Sequence, residues 1–160
     1  MVIEKMQIKR NIIALFITGL GIVLSLIPFV FAPVCPMTKN GMYMTCRYSG
    51  LLVMYIGTAI AVTGIIEIFI KNKIILIVLN LITASSSLAV HLIPHKVVKI
   101  SFGINKDGFP RFFGICGSPS MECVKHNTFI ITSIIALIIL LLSAGNIVYL
   151  LIKKNYGKKL

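Results

Sequence analysis

Four apolar stretches, residues 11–31, 49–70, 74–93 and 128–152, contain no Lys, Arg or Asp, and their only acid is Glu67. About 20 such residues cover the roughly 30 Å of hydrocarbon in a bilayer. Lipid offers backbone N–H and C=O groups no partner, so each stretch must close its own hydrogen bonds as a helix. The period-two alternation of a membrane barrel is absent. The expected fold is an all-α integral membrane protein: one membrane domain, residues 1–160, formed by a four-transmembrane-helix bundle. The first stretch is longer than the apolar core of a signal peptide and is followed by no Ala-x-Ala site, so it is read as a retained span.

The net charge of +12 invites a nucleic-acid reading. The basic residues, however, sit in short clusters between apolar blocks, where they set topology and attract anionic headgroups. Membrane lipids are therefore the expected partners, and nucleic acid is not. Lys5, Lys9, Arg10, Lys71, Lys73, Lys153, Lys154, Lys158 and Lys159 crowd three short segments. Lys39, Arg47, Lys96, Lys99, Lys106, Arg111 and Lys125 are spread over two longer loops, residues 32–48 and 94–127. The denser side belongs in the cytoplasm. Both termini are thus expected inside and both long loops outside.

The acids are only Glu4, Glu67, Asp107 and Glu122. That scarcity excludes a two-carboxylate hydrolase and an all-oxygen calcium cage. No Walker loop, Ser-His-Asp set or His-Glu-x-x-His string occurs. No cofactor is expected, and the balance falls against an enzyme.

The two halves of the chain resemble each other. Leu26-Ile27-Pro28 closes the first span and Leu92-Ile93-Pro94 the third. Gly19 and Gly21 fall at the positions of Ser85 and Ser87, small residues that let helices approach. Each loop then carries a Cys, an insert, and a Met-x-Cys followed by a basic residue. The first copy runs from Cys35 to Met44-Thr45-Cys46-Arg47, the second from Cys116 to Met121-Glu122-Cys123-Val124-Lys125. This ordering predicts an internal repeat of two similar helical hairpins, related by an axis along the membrane normal.

The same cysteine pattern, with Gly114-Ile115-Cys116-Gly117-Ser118-Pro119-Ser120-Met121-Glu122-Cys123 as its second part, resembles a family of small bacterial four-span membrane proteins of unknown function. Members show a Met-x-Cys-His-Trp-Thr-like string where this chain has Met44-Thr45-Cys46-Arg47-Tyr48-Ser49. Arg47 replaces the usual His and Tyr48 the usual Trp, so no role can rest on an imidazole there. The resemblance covers nearly the whole chain. It implies the bacterial cytoplasmic membrane and an accessory role beside an export-type ABC transporter, but no reaction.

All four cysteines, Cys35, Cys46, Cys116 and Cys123, lie in the loops assigned to the outside, where disulfides persist. Four cysteines allow three pairings. The repeat favours Cys35–Cys46 and Cys116–Cys123, with cross-loop pairing as the alternative. A loop of about 15 residues gives roughly 3 kcal/mol in the chain-entropy model, and these shorter loops somewhat less. A second reading is a quinone-coupled thiol oxidase, in which Arg47 and Lys125 favour thiolates at Cys46 and Cys123. Neither pair has the Cys-x-x-Cys spacing of such enzymes. A third reading is soft-metal or haem binding, with Met44, Met121, His95 and His126 joining the sulfurs.

The second loop offers an interaction surface. Residues 99–105 alternate as a half-buried strand does, and Lys106-Asp107-Gly108 reads as a hairpin turn. Phe102, Phe109, Phe112 and Phe113 accompany Arg111. Within the spans, Asn80 and Asn146 are expected to bond between helices, Glu67 to pair with Lys71, and Gly57 and Ala61 to form a close packing face. Taken together, these features predict a non-enzymatic accessory or regulatory subunit of a larger membrane complex, an ABC-type transporter above all.

Overall fold

Pro28 decides how the first helix ends. The computed structural model describes residues 2–35, 44–95, 100–104, 110–115 and 121–156. Helix α1 (Val2–Leu26) continues as a wide π turn over Ile27–Phe31. Proline has no N–H to return to Leu24, so the ladder cannot continue in α register. Instead the Ala32 N–H donates to the Ile27 carbonyl at 2.9 Å and the Val34 N–H to the Pro28 carbonyl at 2.9 Å.

Helix α2 (Thr45–Phe69) begins four residues before the apolar run expected from residue 49, so Cys46 and Arg47 belong to its first turn. Met44 supplies the extended residue ahead of it (φ −75°, ψ 156°), and the Arg47 N–H donates to its carbonyl at 3.1 Å. The Lys71-Asn72-Lys73 turn is closed by Asn72, whose side chain accepts the Ile74 N–H at 3.0 Å and caps α3 (Lys73–Leu92). Strands β1 (Ser101–Ile104) and β2 (Pro110–Phe112) follow, then the single turn α4 (Glu122–Lys125) and the long α5 (Thr128–Tyr156). Asn127 separates α4 from α5 at φ 50°, a left-handed conformation that Asn tolerates better than most residues. Met121 stands before α4 as Met44 does before α2, in extended conformation (φ −78°, ψ 140°). The two Met-x-Cys strings thus each place their cysteine in a first helical turn.

Among the described residues, four helical segments are long and apolar enough to cross a membrane: Asn11–Phe31, Thr45–Phe69, Lys73–Leu92 and Thr128–Ile152. Their surface confirms the solvent they need. Leu15, Phe16, Tyr55 and Leu141 point outward, all more than 60% exposed, whereas Thr18, Asn80, Thr83, Ser87, Thr132 and Asn146 are buried. Water would reject that inside-out distribution, and lipid accepts it. The chain is a multi-pass, four-helix membrane protein.

Helices α1 and α2 form one extensive pair, α3 and α5 the other. The first pair meets backbone to backbone. A Cβ on Gly57 would lie 2.7 Å from the Ser25 nitrogen, and one on Gly21 2.7 Å from the Ala61 nitrogen. This is the close approach anticipated for Gly57 and Ala61. In the second pair, Asn146 Nδ2 donates to Asn80 Oδ1 at 3.1 Å. Ile17, Leu24, Val53, Ile60, Val90, Ala136 and Ile139 fill the centre where the pairs meet. Glu67 departs from expectation. Instead of reaching solvent beside Lys71, it is 2% exposed and faces the bundle interior.

Candidate functional site

A second cluster of buried residues closes one end of the bundle: Val34, Cys35, Cys46, Cys123 and Phe129, with Phe29, Met44, Ile115, Met121 and Val124 packed against it. Three chain segments deliver its sulfurs. The π turn folds residues 32–35 back over the helix ends, and Thr128 Oγ1 fastens that return by donating to the Ala32 carbonyl at 2.9 Å. Gly50 leaves room for it, since a Cβ there would meet Val34 Cγ1 at 3.0 Å. Cys35 arrives from this segment, Cys46 from the first turn of α2, and Cys123 from α4.

The Sγ atoms of Cys35, Cys46 and Cys123 all lie within 4.8 Å of one another, and all three residues are buried. Cys35 and Cys123, from different loops, are 3.6 Å apart. Met121 Sδ stands 3.9 Å from Cys35 Sγ. Cys35 is therefore a neighbour of Cys123 as well as of Cys46, and the Cys35–Cys123 separation is far longer than the about 2.05 Å of a disulfide. Cys116 lies outside the described residues. The Arg47 guanidinium lies 5.8 Å from the centre of the Phe29 ring, at the edge of cation–π range.

Of the candidate soft ligands, Met44 and Met121 join the sulfurs and the two histidines do not. His126 Nε2 pairs with Glu122 Oε2 at 3.2 Å, four residues back on the exposed side of α4. Lys125 reaches the other oxygen of the same carboxylate at 3.6 Å. His95, just past the end of α3, shares a 2.9 Å hydrogen bond with Ser133 Oγ, and its ring centre is 5.5 Å from that of His91. Desolvation, reinforced by the nearby His91, holds its pKa below 6.5.

Beside the sulfurs stands a ribbon of two short strands. Ser101 pairs with Phe112 and Ile104 with Pro110, antiparallel, with a bulge between Ser101 and Gly103. The Phe113 N–H donates to the Ile100 carbonyl at 3.1 Å. Ser49 of α2 holds the ribbon's trailing edge: its Oγ accepts the Gly114 N–H at 2.8 Å and lies 3.1 Å from the Gly114 carbonyl, to which it donates. Ile104 is 73% exposed, and Ile100 and Phe112 are also exposed. Among the other candidate interaction residues, Phe113 is half-buried. Phe102 and Arg111 are placed by their backbone alone, and Phe109 lies outside the described residues.

Ser49 and Thr128 carry this arrangement, yet neither stood out in the sequence. Their partners are backbone groups of remote loops, which residue type and spacing do not reveal. Chemically, a dry group of three thiols and a thioether can exchange sulfur–sulfur bonds or surround a soft cation. Among the described residues, no carboxylate or imidazole stands within the group.

No curated protein and no solved structure matches the chain. Residues 17–149, which include every cysteine, the second and third apolar helices whole and most of the first and fourth, match a family of bare description, and the chain belongs to it: domain of unknown function DUF4418.

Proposed function

We propose that this chain is a non-catalytic accessory subunit of a larger membrane complex of transporter type. In this reading it sits in the bacterial cytoplasmic membrane, its termini inside and the cysteine end outside. The observation that carries the proposal is the ribbon. Ile100, Ile104 and Phe112 expose apolar surface outside the lipid-facing helices, on a segment pinned to the bundle by Ser49. Exposed apolar groups beyond the reach of lipid tails are what a protein partner covers. The bundle interior agrees with a role other than conduction. Glu67 is the only charged side chain buried within the spans among the described residues, and Asn80 and Asn146 are joined to each other.

The test is a pull-down of the intact chain in mild detergent, read by mass spectrometry. Transporter subunits should co-purify with it. The Ile104→Ser, Phe112→Ser double variant should lose them while keeping its helical circular dichroism. Recovery of a partnerless protein under conditions that preserve known membrane complexes would overturn the reading.

A second reading, a quinone-coupled thiol oxidoreductase, draws support from the meeting of sulfurs contributed by both loops. It requires a bound quinone in the purified protein and turnover that disappears in a folded Cys46→Ser variant.

A further inference from the structure

We propose that Cys35, Cys46 and Cys123, with Met121 as a fourth ligand, form a binding site for monovalent copper. The proposal is independent of whether the chain belongs to a larger complex.

Geometry comes first. Metal–thiolate bonds of about 2.3 Å place neighbouring sulfurs of a tetrahedral site about 3.8 Å apart. The measured separations are 3.6 Å for Cys35–Cys123 and 3.9 Å for Cys35–Met121, and the three thiols lie within 4.8 Å of one another. Small adjustments of side chains already in place would close this set on one ion.

Donor chemistry then chooses the ion. The set is all sulfur: His126 is engaged by Glu122 and His95 by Ser133, so neither imidazole joins it. Zinc accepts an all-cysteine set as well, but a Met thioether is not among its ordinary ligands. A thioether beside thiolates selects the softer Cu(I). Burial supports a bound cation. Val34, Phe29, Phe129 and Val124 surround the sulfurs, and all three cysteines are at most 3% exposed. Burying thiolates in such a shell is costly without positive charge nearby, and a bound cation offsets part of that cost while the apolar walls keep water from it. Cys46, in the first turn of the 25-residue α2, also sits at the positive end of that helix's dipole, which favours a thiolate. Binding requires no electron transfer: Cu(I) enters as Cu(I), and the thiol protons it displaces go to buffer.

The experiment uses the full chain, reduced and held anaerobically in mild detergent, titrated with Cu(I) against a chromophoric Cu(I) chelator. One ion per chain is expected, with X-ray absorption showing a shell of sulfur only. Cys35→Ser and Cys123→Ser should each weaken binding at least 100-fold. Met121→Leu, which keeps the volume and therefore the fold, should weaken Cu(I) binding about 10-fold and leave Zn(II) binding unchanged. Three results would overturn the site: no Cu(I) retained by the wild-type chain against the chelator, nitrogen or oxygen in the metal shell, or undiminished binding by folded Cys123→Ser. Non-reducing peptide mapping supplies a fourth. A disulfide joining any two of Cys35, Cys46 and Cys123 in protein isolated with thiols blocked would mark the cluster as redox or structural instead.

Discussion

Ser49 holds Gly114 by both of its backbone groups, accepting the N–H at 2.8 Å and donating to the carbonyl at 3.1 Å. Both residues are buried, so nothing else on hand can replace the hydroxyl. Ser49→Ala should therefore cost about 1–3 kcal/mol, the range for stranding a buried polar group. Thermal unfolding in detergent measures it. Limited proteolysis should show the segment around the ribbon cut faster than in the parent protein, while the helices stay protected. Cleavage at the parental rate would mean that the ribbon is held by other contacts.

Asn80 and Asn146 provide the corresponding test inside the bundle. Their 3.1 Å hydrogen bond joins α3 to α5 at a depth where no water is available. Such bonds between membrane helices are worth about 0.6 kcal/mol on average and up to about 1.7. A double-mutant cycle with Asn80→Leu and Asn146→Leu should give a coupling energy in that range. Additive single and double variants would show that each amide is satisfied by its own helix alone, as the donation from Asn80 Nδ2 to the Leu76 carbonyl at 2.9 Å partly allows.

These two relationships mark what could and could not be read beforehand. The four spans were legible because charge is excluded over whole helices. Asn80 and Asn146 were legible as helix-joining residues because polar groups at membrane depth have few alternatives. The start of α2 was not: hydropathy reports where lipid begins, whereas Thr45 is helical because Met44 is extended and its carbonyl accepts the Arg47 N–H. Glu67 faces inward because helix phase, not depth alone, determines what a side chain meets. The sulfur group was half legible. The repeat favoured pairing within each loop, with cross-loop pairing as the alternative, but the meeting of Cys35 with Cys123 depends on the fold-back at Pro28 and the anchor from Thr128. His126 could have been assigned from sequence, since Glu122 stands one helical turn before it.

Close packing of α1 on α2 makes a sharper demand. At Gly57 a Cβ would lie 2.7 Å from the Ser25 nitrogen, and backbone cannot move aside as a flexible side chain does. Gly57→Val should force the helices apart and lower stability by about 1–3 kcal/mol or more, the usual cost of overpacking. Gly145 is the control, because a Cβ there meets nothing within 4 Å. Gly145→Ala should be neutral or gain up to about 1 kcal/mol from helix propensity. Equal effects at the two positions, measured by thermal unfolding in the same detergent, would dissociate the backbone contact from stability.

His95 gives the bundle a pH dependence of definite sign. Desolvation, and then the neighbouring His91, keep its pKa in the folded chain below the ordinary 6.5. Between the folded value and 6.5 the unfolded chain binds more protons than the folded one, so stability rises with pH across that window. The contribution is complete above 6.5 and is lost as pH falls through the folded value. His95 also shares its 2.9 Å hydrogen bond with Ser133 on α5, so protonation restricts the ring to donating there. Thermal midpoints recorded downward from neutral pH should fall across the window, and His95→Gln, which retains a hydrogen-bonding group without titrating, should flatten that part of the profile. A slope that persists undiminished in a folded His95→Gln variant would remove His95 from the account.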